Sequence, residues 1–245
     1  MTHHPSNEWA DQLVQEHLKR FLHQYSWRLD LFDDMPRISS NDELISHFLF
    51  CILGGYSITY ELNTLAFEAV VSDTGLKRST LIEQDFERRV AALLKRIPIR
   101  TSEGVSYKSY RFPNSKATMF ANACLWLHTI HNWDLSFIYQ IDPKSARQHL
   151  LDCPGVGQKT ASWFLRNVGH GAGLAIIDVH VERIAKEWAL VPYELTATAN
   201  YTEIEDRLQR HCMAIGYDLS QVDLAIWKYS RGDIIDWSTG QGLLF

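Results

Sequence analysis

Two runs with helical spacing of apolar residues, SARQHLLDC and QKTASWFLRNV, are joined by only four residues, Pro154-Gly155-Val156-Gly157. So short a link obliges the second run to fold back beside the first as an αα-hairpin. Gly155 and Gly157 permit positive φ and let another backbone come close. The turn feeds a helix N-terminus, whose first N–H groups have no partner within the helix and point outward. That arrangement is a ready anion site, and a DNA phosphate fits it without any side chain. The plain alternative is an ordinary helix hairpin with no ligand.

The residues that follow sharpen the first reading. Lys159 falls in the first turn of its helix, where the backbone dipole is already positive and an ammonium is disfavoured. A surface lysine escapes this by snorkelling into water. A lysine held there as a neutral amine is instead the form that attacks a carbon electrophile. Nineteen residues on, after the glycine-rich link GHGAGLAII, Asp178 opens the next helix. An N-cap role alone accounts for an aspartate, at about 1 kcal/mol. A carboxylate held near Lys159 could also stabilise positive charge developing on a sugar, or help move a proton.

The rest of the chain reads as helix after helix. Glu8–Leu31 carries apolar residues at helical intervals, and Ser40 with Glu43 makes a capping box before a helix from about Asp42 that stops at Gly54-Gly55. SITYELNTLAFEAVVSDTG reads as one helix and STLIEQDFERRVAALLKRI as another, ended by Pro98. PIRTSEGVSYKSYRFPNS reads as a loop, KATMFANACLWLHTIHNW as a helix, and Asp142-Pro143 as the cap of the short helix before the turn. YTEIEDRLQRHCMAIG is closed by Gly216, and DLSQVDLAIWKYSRG is the last clear helix. No alternating strand pattern persists. The expected fold class is all-α, with about ten helices and no internal repeat.

Hydrophobic content of 46% and charged content of 22% are ordinary for a soluble domain. The longest apolar run, near Phe48–Leu53, is too short to span a bilayer. The opening MTHHPSNEW is polar, which points to an intracellular protein. Cys51, Cys124, Cys153 and Cys212 are widely spaced with no CxxC pair, so they read as reduced and buried rather than as a disulfide, zinc or iron–sulfur framework. Net charge is −5, yet Glu87–Lys116 holds eight Lys/Arg against two Glu, a local excess of +6. That stretch is either a solvated face or a phosphate-contacting surface.

CPGVGQKTASWF…AIIDVHVERI resembles the helix–hairpin–helix, Gly/Pro-rich loop and aspartate signature of the endonuclease III superfamily of DNA base-excision glycosylases. Within it, ASWFLRNVGHGAGLAIIDVHVER and DLAIWKYSRG are similar to the type-2 8-oxoguanine DNA glycosylases. FLFCILGG and the Arg111-Phe112 pair look related, less specifically. The likeness covers most of residues 40–235 and is strongest over 150–184. Three features depart from the pattern, the first being LGGYS at Leu53–Ser57, where the family's chain would approach the opposite base. Cys153 stands where Leu is usual before Pro-Gly. The chain also runs on through DIIDWSTGQGLLF, where type-2 enzymes end soon after the Trp-containing helix with a terminal lysine whose carboxylate joins base recognition.

The resemblance implies two helical lobes, one built from 1–65 with 180–245, the other from 66–179 with the hairpin at about 145–168. It implies Lys159 as the nucleophile at C1′ and Asp178 as its electrostatic assistant. Phe112 and Trp227 would sandwich the flipped base, Asp223 would lie in the same pocket, and Gly155, Val156 and Gly157 would hold a backbone phosphate. Aromatic faces there can compensate for stacking lost when a base leaves the duplex. The implied activity is a bifunctional glycosylase and AP lyase acting on an oxidised purine, 8-oxoguanine, in double-stranded DNA. It needs no metal or organic cofactor and no membrane, and is expected to act as a monomer. Two alternatives stay open: the same chemistry on a different modified base, and a non-catalytic hairpin module that only grips DNA.

Overall fold

The computed structural model describes residues 12–23, 38–55, 58–101 and 104–232. The chain divides into two compact units, Arg37–His170 and Met1–Pro36 with Gly171–Phe245.

In the central unit, α2 (Asn41–Leu53) is capped by Ser40, whose Oγ accepts the Glu43 N–H, and buries Leu44, Phe48, Leu49 and Ile52. It packs against α3 (Tyr60–Thr74), α6 (Pro113–Thr129) and α8 (Gln158–Asn167). The run STLIEQDFERRVAALLKRI, read as one helix, is two: α4 (Arg78–Leu81) and α5 (Phe86–Lys95). The backbone at Ile82 and Asp85 leaves helical geometry, and the break lets Leu81 and Phe86 both reach the core. A short 3₁₀ turn (Ser136–Gln140) and α7 (Pro143–Leu150) complete the unit, with Asp142 capping α7 through the N–H groups of Lys144 and Ser145.

The stretch expected to be a loop contains an antiparallel hairpin, β1 (Ile97–Thr101) and β2 (Gly104–Lys108). Its pairing explains why no strand pattern is visible. Ile97 pairs with Lys108 and Ile99 with Ser106, so apolar and polar residues mix on one face. Every residue of β2 is exposed, so no buried face imposes a period of two on that strand.

The second unit contains the helical residues 12–23 (α1), α9 (Val179–Glu187), α10 (Ala197–Ile215) and α11 (Leu219–Ser230). Its core gathers Leu18, Phe21 and Leu22 with Val181, Ile184, Ile204, Leu208, Val222 and Ile226. The helical architecture is the expected all-α class, but the unit boundaries differ from 1–65/180–245 and 66–179. Residues 37–65 belong with the central helices, because the buried face of α2 is covered by α3, α6 and α8. The glycine-rich link from Gly171 onward belongs with α9–α11, because side chains of α10 and α11 bond its backbone. No helix among the described residues is long and apolar enough to cross a membrane.

Candidate active site

The hairpin of α7 and α8 forms as the short link requires. Gly155 has φ +87°, and a Cβ there would lie 2.8 Å from Met119 Cγ, so α6 presses on the turn where only glycine fits. Val156 and Cys153 are buried beneath it, Cys153 taking an apolar position at the head of the turn. Burial pushes the Cys153 thiol up to about 12, which keeps it protonated and unreactive. Gly157 is the N-cap of α8 and supplies no side-chain acceptor, so the first N–H groups of α8 stay available to an outside anion.

Lys159 is the second residue of α8 and is half-buried. A second lysine, which the sequence did not single out for the site, stands close enough to feel its charge. Lys116 of α6 donates from Nζ to Ile52 O at 2.9 Å and to Gly54 O, capping the carbonyl end of α2. Burial, then the charge of Lys159, lowers Lys116 to about 8. The helix N-terminus and Lys116 therefore both place positive potential around the amine. The end of α2 is also held from the α8 side. A Cβ on Gly54 would meet the Trp163 ring at 2.3 Å, and Trp163 follows Lys159 by one helical turn.

Lys116 gives a pH-dependent expectation. Its folded pKa lies below the ordinary 10.5, so between about 8 and 10.5 the unfolded chain binds a proton that the folded chain lacks. The penalty for charging Lys116 is fully present below pH 8 and is relieved as pH rises through that window. Lys116→Met removes the charge. The Tm of wild type minus that of K116M should therefore grow by on the order of 5 °C between pH 7.5 and 10. A flat difference across that range, by differential scanning fluorimetry, would refute it.

Phe112 stands at the N-cap of α6 with φ 57° and ψ 52°, left-handed backbone for a bulky residue, and the residue is 58% exposed. Its neighbours impose this. Tyr110 is buried, its N–H donating to Leu94 O at 2.7 Å and its hydroxyl lying 2.9 Å from Leu53 O and 2.6 Å from Asn63 Oδ1. Pro113 opens the helix immediately afterwards. Strain of this kind collects at functional sites. The Arg111 guanidinium lies 4.9 Å from the ring centroid.

In the other unit Asp178 is the N-cap of α9, its Oδ1 accepting from His180 N and Val181 N at 2.9 Å each. Among the described residues nothing bonds its Oδ2, which leaves one carboxylate oxygen for chemistry. Asp223 and Trp227 are one turn apart on α11. Asp223 is 1% exposed and accepts the Ile176 N–H. Trp227 packs partly against the core of its unit, with the Arg231 guanidinium 4.8 Å over its ring. The central unit carries Lys159, Phe112 and the Gly155–Gly157 turn, and the other carries Asp178, Asp223 and Trp227. Tyr56 and Ser57, of the segment Leu53–Ser57, and the tail 234–245 lie outside the described residues.

Residues 25–217 match the family model for 8-oxoguanine DNA glycosylase. The chain belongs to that family. Lys159 and Asp178 lie inside the matched stretch, Asp223 and Trp227 beyond it. An 8-oxoguanine DNA glycosylase/AP lyase of Metallosphaera sedula is 29% identical over 133 residues, 54% of this chain and 64% of that one, so the match spans just under two thirds of the relative. One of Korarchaeum cryptofilum is 24% identical over 206 residues, 82% of this chain and 87% of the relative. The fold is that of the Methanocaldococcus jannaschii 8-oxoguanine glycosylase/lyase bound to a 15mer DNA containing 8-oxoguanine, with TM-score 0.60, 22% identity and coverage of 91% and 100%. It is also that of a trapped endonuclease III–DNA covalent intermediate, with TM-score 0.61, 16% identity and coverage of 91% and 86%.

Proposed function

We propose that this chain is a bifunctional DNA glycosylase/AP lyase that removes 8-oxoguanine from double-stranded DNA. One observation carries the reading: a lysine in the first turn of the helix that leaves the Pro-Gly-Val-Gly turn, in a chain of this family. The Lys159 amine attacks C1′ of the damaged nucleotide. The glycosidic bond breaks and the base leaves with its electron pair, taking up a proton. Ring opening gives a protonated imine between Nζ and C1′. The imine acidifies the C2′ proton, whose removal expels the 3′ phosphate by β-elimination, and water then frees the lysine. Asp178 Oδ2 is the group for the positive charge that builds at C1′. The unobstructed N–H groups of α8 and the Gly155-Val156-Gly157 backbone suit a flanking phosphate.

The basic stretch around the hairpin supports a DNA partner. Arg96 stacks over the exposed Tyr107 ring at 4.1 Å, and Lys108 ends β2 four residues before Phe112. Reading Phe112 as a stacking platform for the extruded base has a consequence that opposes stability to function. Phe112→Gly relieves left-handed strain costing about 1 kcal/mol, so Tm should rise by about 2 °C. The same change should weaken binding to an 8-oxoguanine duplex about tenfold, with binding to undamaged duplex unchanged. Anisotropy titrations in a Lys159→Gln background, which prevents turnover, separate the two effects. Equal loss on both duplexes would remove Phe112 from base recognition.

The test of the activity is borohydride trapping on 8-oxoguanine, abasic and undamaged duplexes. A covalent adduct on the first two is the expected result. An adduct on abasic DNA alone keeps the amine chemistry and moves the substrate to another modified base. No adduct on either leaves a DNA-binding module.

A further inference from the structure

The link that delivers Asp178 is irregular, and Leu174, Ala175 and Ile177 within it are buried. Buried backbone without helix or sheet partners must find hydrogen bonds elsewhere. Here three consecutive N–H groups are each accepted by a side chain. Glu205 Oε1 takes Ala175 N at 2.9 Å, Asp223 Oδ2 takes Ile176 N, and the Tyr201 hydroxyl takes Ile177 N at 3.1 Å. The same hydroxyl donates to Ala175 O at 2.7 Å, so Tyr201 grips the chain on both sides of Ile176. Tyr201 and Glu205 are one turn apart on α10, which places both on one helix face.

The composition of this clamp is costly. Glu205 is fully buried and Tyr201 is 7% exposed. A leucine at 205 would pack against the same core with no carboxyl to desolvate. It would leave the Ala175 N–H without its acceptor. Asp178 follows the last clamped residue directly, and its Oδ1 is fixed by the first turn of α9. The carboxylate is thus held from both ends, by the cap ahead of it and by the clamp behind it.

We infer that Tyr201 and Glu205 are positioning residues for Asp178: by fixing the peptide groups of 175–177 they set where the free carboxylate oxygen stands. This rests on the proposed role of Asp178 in excision. Catalytic charges must be held to within a fraction of an ångström, and small displacements cost orders of magnitude in rate.

The experiment is single-turnover cleavage of 8-oxoguanine and abasic duplexes by wild type, Tyr201→Phe, Glu205→Gln, Glu205→Leu, Asp178→Asn and the double variant Y201F/D178N. Y201F and E205L should slow the chemical step about 10- to 100-fold, with duplex affinity within about twofold of wild type. E205Q keeps an acceptor oxygen for Ala175 N–H and should recover most of the rate. If Tyr201 acts through Asp178, Y201F should add nothing in the D178N background. Independent, multiplying losses in the double variant would overturn the inference, as would a Y201F rate equal to wild type. Should E205L fail to fold, Y201F and E205Q decide the matter alone. Wild-type enzyme inactive on both duplexes would instead defeat the functional reading itself, and this inference with it.

Discussion

Lys159→Gln should abolish both the borohydride-trapped adduct and strand cleavage, lowering the rate by at least about 1,000-fold, or roughly 4 kcal/mol in the barrier. Glutamine keeps a polar side chain, one bond shorter, but has no amine to form an imine. The turn preceding it is built by Gly155, Met119 and Cys153, none of which depends on the lysine. Duplex binding and Tm should therefore stay close to wild type, and removing a cation from beside Lys116 can only ease the charge there. Binding measured on an abasic duplex in parallel with trapping distinguishes lost chemistry from a lost fold. Residual trapping in this variant would point to another amine, and Lys116, on the neighbouring helix, would be the first to replace.

Asp178→Asn should separate structure from catalysis at a single residue. The side-chain oxygen of asparagine caps a helix about as well as that of aspartate. The bonds to His180 N and Val181 N can therefore persist, and stability should change by only a few tenths of a kcal/mol. What disappears is the negative charge on the other oxygen. Base excision should fall about 100- to 1,000-fold, in line with the loss of a charge aimed at a developing cation. Asp178→Ala should show a comparable loss of rate and an added destabilisation of about 1 kcal/mol from the missing cap. Thermal melts and single-turnover rates for both variants check this pair of expectations. An asparagine variant as fast as wild type would reduce Asp178 to a cap.

Much of this was legible in the sequence because it obeys short-range rules. A four-residue Pro/Gly link between two apolar-periodic runs allows little other than a helix hairpin, and the structure has one. Ser40, Asp142 and Asp178 are N-caps because a short polar side chain bonds the amides two or three residues ahead. The four cysteines are buried, as expected. Where the reading failed, the deciding contact was distant or the signal was mixed. The hairpin of β1 and β2 puts apolar and polar residues on the same face, so no periodicity marks it. The break between α4 and α5 exists so that Leu81 and Phe86 can both be buried, which depends on a core assembled from other helices.

The sequence by itself determined the helical class, the Pro-Gly-Val-Gly turn, the amine at Lys159 and the capping carboxylate at Asp178. Each is written within a few residues, where turn geometry and unpaired helix-end groups leave few choices. Tertiary structure alone decided what surrounds them. Lys116 reaches carbonyls 62 and 64 residues away, Glu205 holds an amide 30 residues away, and Phe112 is strained by anchors at Tyr110 and Leu94. Lysine, glutamate and phenylalanine carry no local mark of such roles. A buried polar group acquires its partner only when distant segments pack together, and the partner fixes its role.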